Sequence, residues 1–318
     1  MNFGKTLIMA GLAAMLPALA SAQADYPSRP ITIIVPYAPG GTTDVVGRAL
    51  AESLARQLKQ TVVIENKPGA AGAMGVLDMM STKPDGYRLT MAPVGIFRQP
   101  YLQQTRYDPI RDLTYIASFL TYDFALTVQA NSPYKTVKDI VEAARKDAGA
   151  INYSSPGKFT GNQVVMAMLG KSTGVKFTHV PYKGDSDATA ALLGGHVKAS
   201  VVTNSILTHM KAGSVRVLAT ADSARNPAFT DVPTLKELGY DVLVPSPLGL
   251  AGPANLPQAI VEKLDQAVKT ALDDPEVKRV VDNYGVRTYY LGHQAYAQFA
   301  RDTFKAEKDV VSNLGLDD

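Results

Sequence analysis

From residue 31 onward the chain alternates short β-branched apolar runs with longer amphipathic segments. The runs Ile31–Val35, Thr61–Glu65, Arg88–Met91, Phe124–Gln129, Ile151–Ser154, Lys176–Val180, Ala199–Thr203 and Arg216–Ala219 predict strands. The segments Asp44–Leu58, Ala71–Ser81, Val137–Lys146, Asn162–Lys171, Asp187–Leu193, Gln258–Leu272, Pro275–Tyr284 and His293–Leu314 predict helices. Strands alternating with helices specify an α/β fold class. No low-complexity segment or short-period repeat interrupts the pattern.

The first 22 residues break it. Lys5 is a short positive region, Leu7 to Ala20 is almost wholly apolar, and Ala20-Ser21-Ala22 is a small-x-small cleavage site. Ala22-Gln23-Ala24 is an alternative site two residues on. This order predicts a secretory signal peptide over residues 1–22, cleaved near Ala22 or Ala24, and a mature protein in the periplasm. The apolar run is too short to span a bilayer.

Composition narrows the chemistry. The chain has no cysteine, so disulfides, thiolate metal sites, cysteine nucleophiles and a lipid-anchored N-terminus are excluded. A disulfide-free exported chain of 318 residues must be held by its core, and at this length it can be. Net charge is +3, with basic residues scattered, which argues against a nucleic-acid partner or membrane anchoring. His179, His196, His209 and His293 lack metal-ligand spacing, so neither a metal nor a cofactor is expected.

The loops carry the candidate chemistry. Val35-Pro36-Tyr37-Ala38-Pro39-Gly40-Gly41-Thr42-Thr43-Asp44 joins a strand to a helix. Backbone N–H groups and the positive end of a helix dipole converge in such a turn and suit an anion. Similar loops follow Ile64, Tyr153 and Val180. Ligands of open α/β sheets bind beyond the carboxyl ends of the strands, where these loops lie. Two pairs facing each other make a cleft between two domains, the venus-flytrap architecture that closes by hinge motion. Neither GxxxxGK[ST] nor a post-strand GxGxxG occurs, so a carboxylate is a better candidate anion than a nucleotide. No GxSxG elbow is present, so an exported enzyme acting on a small acid ranks below a binding protein, and a scaffold or adhesin, for which the ordinary composition without repeats offers nothing, ranks last.

These residues resemble the Bug-type periplasmic solute-binding receptors of tripartite tricarboxylate transporters. The resemblance runs over Tyr26-Pro27-Ser28-Arg29-Pro30-Ile31, Pro39-Gly40-Gly41-Thr42-Thr43-Asp44 with Arg48, and Glu65-Asn66-Lys67-Pro68-Gly69-Ala70-Ala71-Gly72. It continues through Pro84-Asp85-Gly86-Tyr87, Tyr107-Asp108-Pro109, His179-Val180-Pro181-Tyr182-Lys183-Gly184, Leu193-Gly194-Gly195 and Val232-Pro233-Thr234-Leu235. It implies a two-domain periplasmic binding protein with two crossovers and an interdomain cleft. It also implies capture of a small carboxylate, delivery to membrane permease subunits, and a monomer without cofactor. The same closed form would serve an accessory protein of a sensor kinase.

By position, the resemblance places Tyr37, Pro39, Gly40, Gly41, Thr42 and Asp44 around one carboxylate and its water, with Ala70, Ala71 and Gly72 lining the same pocket. From the second domain, Ser155, Thr160, Gly161, Tyr182, Lys183 and Gly184 would close over the ligand. Thr203 and Asn204 would stand at a strand end near the cleft. The chain departs from the family pattern in three places. Lys158-Phe159-Thr160-Gly161-Asn162-Gln163 lacks a histidine, Asp185-Ser186-Asp187 replaces small residues and a proline, and Phe97-Arg98-Gln99-Pro100 brings an arginine. Arg98 is a candidate bidentate partner for a distal carboxylate, or else a solvated or interdomain ion pair. Asp185 and Asp187 either face a ligand ammonium group or complement a helix dipole.

Val244-Pro245-Ser246-Pro247 reads as the return crossover, because paired prolines stiffen an extended connection. The expected domains are therefore residues 25–125 plus 246–318, and residues 126–245.

Overall fold

The computed structural model describes residues 26–229 and 231–315, so the expected signal peptide and its cleavage site lie outside the described residues. No helix among the described residues is long and apolar enough to cross a membrane.

In chain order the strands are β1 Ile31–Val35, β2 Val62–Asn66, β3 Arg88–Pro93, β4 Leu113–Thr121, β5 Ala125–Gln129, β6 Asn152–Ser155, β7 Thr178–Pro181, β8 Ala199–Val202, β9 Val215–Thr220, β10 Pro247–Pro253 and β11 Arg287–Leu291. The helices are α1 Thr42–Leu58, α2 Ala73–Met80, α3 Gly95–Leu102, α4 Val137–Lys146, α5 Gly161–Thr173, α6 Asp185–Leu193, α7 Ile206–Lys211, α8 Gln258–Ala271, α9 Pro275–Tyr284 and α10 His293–Leu314.

Two mixed sheets result. The first has the order β11-β4-β10-β3-β1-β2 and the second β7-β6-β8-β5-β9. β1 pairs in parallel with both β2 and β3 and is buried at every position but Thr32, as its four β-branched apolar residues require. The chain leaves the first sheet through Tyr122–Phe124 and returns through Val244–Ser246 into β10. α8 and α9 pack on α1, while α10 packs on β4 and α3, so the C-terminal segment completes the first unit.

All eight expected strands and all eight expected helices form, with ends shifted by no more than two residues. Three strands and two helices were not expected: β4, β10, β11, α3 and α7. β10 runs Pro-Leu-Gly-Leu-Ala-Gly-Pro, poor strand chemistry by local preference, yet it is buried throughout and pairs antiparallel with β3 and β4. Its glycines answer to packing. A Cβ on Gly249 would lie 2.4 Å from the Tyr296 ring and 2.6 Å from the Ala117 carbonyl oxygen.

Candidate functional site

A slot with about 430 Å³ of atom-free space, counted out to its mouth, lies between the two units. Its first wall carries Tyr37, Gly41 and Thr43 from the β1–α1 loop, and Pro93, Val94 and Gly95 where β3 enters α3. The opposite wall carries Pro156, Gly161 and Asn162 at the start of α5, Asp185 at the start of α6, and Thr203 just after β8. Tyr122, Phe124 and Ser246 come from the crossovers. Thus α1, α3, α5 and α6 all begin at the slot.

None of these four helices has a side-chain N-cap from its own first turn. By contrast, Thr136 and Asp139 form a capping box on α4 and Asp274 caps α9, both remote from the slot. Uncapped helix starts leave N–H donors and partial positive charge facing the ligand space. No lysine, arginine or histidine lines it. Burial holds the Tyr37 and Tyr122 phenols far above their ordinary pKa, so both stay protonated, and Tyr122 Oη lies 2.5 Å from Thr43 Oγ1.

The α1 end differs from the others because carboxylates of the protein already occupy it. Asp44 is buried and accepts from the Gly40 amide at 3.0 Å, from Arg48 Nε and Nη2 at 3.1 and 2.8 Å, and from Asn66 Nδ2 at 2.9 Å. Burial opposes its ionisation, but these donors outweigh it and hold its pKa below the usual range. From the opposite unit Asp185 lies against Gly41, its Oδ2 3.7 Å from where a Gly41 Cβ would be. Its Oδ1 accepts from the Thr203 amide at 3.2 Å, its Oδ2 accepts from the Thr203 hydroxyl, and the Thr42 amide adds stabilisation. Burial nonetheless raises it to about 6.

The units meet along a closed seam beside the slot. Ala38 N–H donates to the Lys183 carbonyl at 3.0 Å, and Ser186 Oγ donates to the Pro39 carbonyl at 2.8 Å. A chain of polar groups links the Ser205 amide, Thr42 Oγ1, Thr203 Oγ1 and Asp185, with contacts of 2.8 Å and 2.7 Å in its first two steps. At the crossovers Asp123 accepts from Asn204 Nδ2, Asn226 Nδ2 and Arg287 Nη2 at 3.0, 2.6 and 3.1 Å. Arg287 also pairs with Asp222.

Of the residues expected at the site, Tyr37, Gly41, Gly161 and Thr203 line the slot, while Thr42, Pro39, Lys183 and Gly184 form the seam beside it. Ala70, Ala71 and Gly72 stand behind the wall: a Cβ on Gly95 would meet the Ala71 carbonyl oxygen at 2.6 Å. Thr160 Oγ1 turns to the Gly157 carbonyl at 2.9 Å, and the half-buried Tyr182 is tied to Ser155 through its backbone amide at 2.9 Å.

Four of the expected site residues are engaged elsewhere. Arg98 does not reach into the slot: its Nε and Nη2 pair with Glu307 at 2.6 and 2.9 Å, and Nη1 donates to the Phe159 carbonyl at 2.8 Å. It is 1 % exposed, neither a solvated ion pair nor a free clamp. Asn204 serves the crossover cluster around Asp123. Ser155 is buried against His179, with Oγ to Nε2 at 2.7 Å, and burial together with Lys158 lowers that imidazole to about 4. Asp44 organises its own loop, its carboxylate filled by Gly40, Arg48 and Asn66.

Sequence reasoning missed Thr43, Pro93, Val94, Gly95, Tyr122, Phe124, Pro156, Asn162 and Ser246 as lining residues. Only Asn162 and Thr43 carried a readable signal, as polar residues at a helix start beside a glycine loop.

Two α/β units joined by two crossovers and closed over a slot define a periplasmic solute-binding protein. The chain belongs to the tripartite tricarboxylate transporter receptor family, TctC, whose model matches residues 46–316. It is 41 % identical to the UPF0065 protein in the gbd 5′ region of Cupriavidus necator, over 96 % of this chain and 93 % of that one. Among solved structures it is similar to the periplasmic binding protein BugD, with TM-score 0.87 and 28 % identity over 92 % of this chain and 99 % of that one. It is also similar to MatC from Rhodopseudomonas palustris with bound malate, with TM-score 0.84 and 28 % identity over 90 % of this chain and all of that one. The protein is therefore a Bug-type solute-binding receptor and not an enzyme.

Proposed function

We propose that the protein captures a small carboxylate in the slot and delivers it, in the closed form, to the membrane subunits of a tripartite tricarboxylate-type transporter. The observation that carries the ligand class is the convergence of helix starts without caps in a slot free of basic side chains. Such amides bind an anion while leaving it releasable, since no opposite full charge must be separated. The carboxylate belongs on the starts of α3 and α5, at Gly95, Gly161 and Asn162, because at the α1 start Asp44 takes the Gly40 amide and Asp185 takes that of Thr42, putting two carboxylates of the protein there. The bound malate of MatC supports the class, and the family's own description supports the transporter partner. The closing units are residues 25–125 with 246–318, and 126–245, a division supported by the two points where the chain passes between sheets. Export by a signal peptide within residues 1–22 and action as a monomer complete the reading.

The test is a thermal-shift screen of residues 23–318, unfolded and refolded to strip carried ligand. A carboxylate at about 100 times its Kd adds roughly 2.7 kcal/mol of stability. Failure of every small carboxylate to shift the folded protein refutes the ligand class. Uptake that survives deletion of the partner permease refutes the transporter assignment.

A further inference from the structure

We propose that Asp185 sets the specificity of the slot, selecting a monocarboxylate that carries an ammonium group over a dicarboxylate of matched length. The proposal rests on the carboxylate-binding reading above.

Asp185 is the one acidic residue among those lining the slot, and it is buried. The groups that face it are known from each packed element. Gly41 and Thr42 approach from the start of α1, and Thr203 from the end of β8. The Tyr37 and Tyr122 phenols are within electrostatic reach and remain protonated. None is a cation. The nearby guanidinium of Arg98 is committed to Glu307 and Phe159. The other two acids of this region differ. Asp44 is neutralised by Arg48, and Asp187 is exposed to solvent.

Asp185 is thus a carboxylate taken out of water without a counter-ion, and the consequences follow from charge. An ionised carboxylate offers about four acceptor sites. Thr203 fills two and the Thr42 amide is oriented toward a third, which leaves capacity for a donor from the ligand. A ligand ammonium group there supplies the missing charge, and its loss would leave Asp185 unpaired. A second ligand carboxylate at the same place meets like charge in a poorly solvated site. In effect the chain contributes one of the two carboxylates that a diacid would bring. The elevated titration of Asp185, near 6, agrees with the absent counter-ion.

Calorimetric titration of the stripped, refolded protein with matched acids tests this. The probes are γ-aminobutyrate, succinate and butyrate; ε-aminocaproate, adipate and caproate; and α-amino acids against their deaminated parents. The expected result is tightest binding by an amino acid. Asp185→Asn should weaken that binding by about 30-fold or more, as for truncating one partner of a buried charge pair, and shift preference toward the diacid. In the wild type, affinity for the amino acid should fall as pH drops below about 6, as Asp185 takes up a proton, and in Asp185→Asn it should not. Asp185→Ser replaces the asparagine variant if that one fails to fold. The proposal is overturned if the wild type binds a diacid as tightly as its amino analogue, or if the variants keep the wild-type preference. If no acid of any kind binds, the carboxylate reading itself fails, and this proposal with it.

Discussion

The starts of α1 and α5 face each other across one slot and stand in opposite electrostatic states. Both follow a strand and a glycine loop, and both lack a cap from their own first turn. At α1 the Gly40 amide is taken by Asp44, and Asp185 comes across from the other unit to lie over Gly41 and Thr42. At α5 Gln163 Oε1 takes the Phe159 amide at 2.5 Å, much as Asp44 takes that of Gly40, but it is a neutral side chain; Thr160 Oγ1 donates away to Gly157, and among the described residues no side chain accepts from the Gly161 or Asn162 amide. The lesson is that a motif suited to an anion does not name the anion. At α1 the protein satisfies its own motif and closes the seam with it; at α5 the motif is left for a ligand.

Removing Arg98 gives the largest expected effect. If it were a ligand clamp, Arg98→Ala would cost affinity and little stability. Its burial against Glu307 instead predicts a loss of about 3–5 kcal/mol, because the carboxylate left behind is buried and unpaired. Denaturant unfolding of the unliganded protein reads this directly. An unchanged midpoint would return Arg98 to the ligand.

The Asp185 side of the comparison is sharpened by pH. Its folded pKa, about 6, lies above the ordinary 3.8, so between those values the folded state holds more protons than the unfolded one. Its burial penalty is therefore present above pH 6 and is relieved as pH falls. Relative to Asp185→Asn, the unliganded wild type should gain up to about 3 kcal/mol of stability between about pH 7 and pH 4. Parallel pH profiles of the two proteins would show that Asp185 already has a counter-charge.

A smaller effect is expected at Asp44. Asp44→Asn keeps the shape but weakens the acceptor for Gly40, Arg48 and Asn66, costing about 1–3 kcal/mol. Its pKa is depressed, so that contribution is present at neutral pH and lost as pH falls through the folded value. Wild-type stability in the variant would mean that the α1 loop is held by something else.

The sequence made the parallel parts of both sheets legible and the antiparallel parts of the first sheet illegible. β1, β2 and β8 are short runs rich in β-branched residues, and α1 after β1 repeats its apolar positions with a helical period. β10 has glycines and prolines where a strand should have branched residues, because Tyr296 and Leu256 pack onto Gly249 and Gly252. α3 hides behind Pro93 and contains Pro100. For the site, two of the glycine loops contribute Gly41 and Gly161 to the lining of the slot. They could not show which amides are already satisfied. Whether Asp185 folds over α1, or Arg98 meets Glu307 more than 200 residues away, is a tertiary fact with no local signature.

A crystal structure of the protein with the tightest-binding acid from the titration series decides between the two helix starts. The ligand carboxylate is expected on the amides at the starts of α3 and α5, among Gly95, Gly161 and Asn162, with Asp185 still over Gly41 and a ligand ammonium beside it. A carboxylate seated on Gly40, Gly41 and Thr42, with Asp185 swung out of the slot, would contradict that placement.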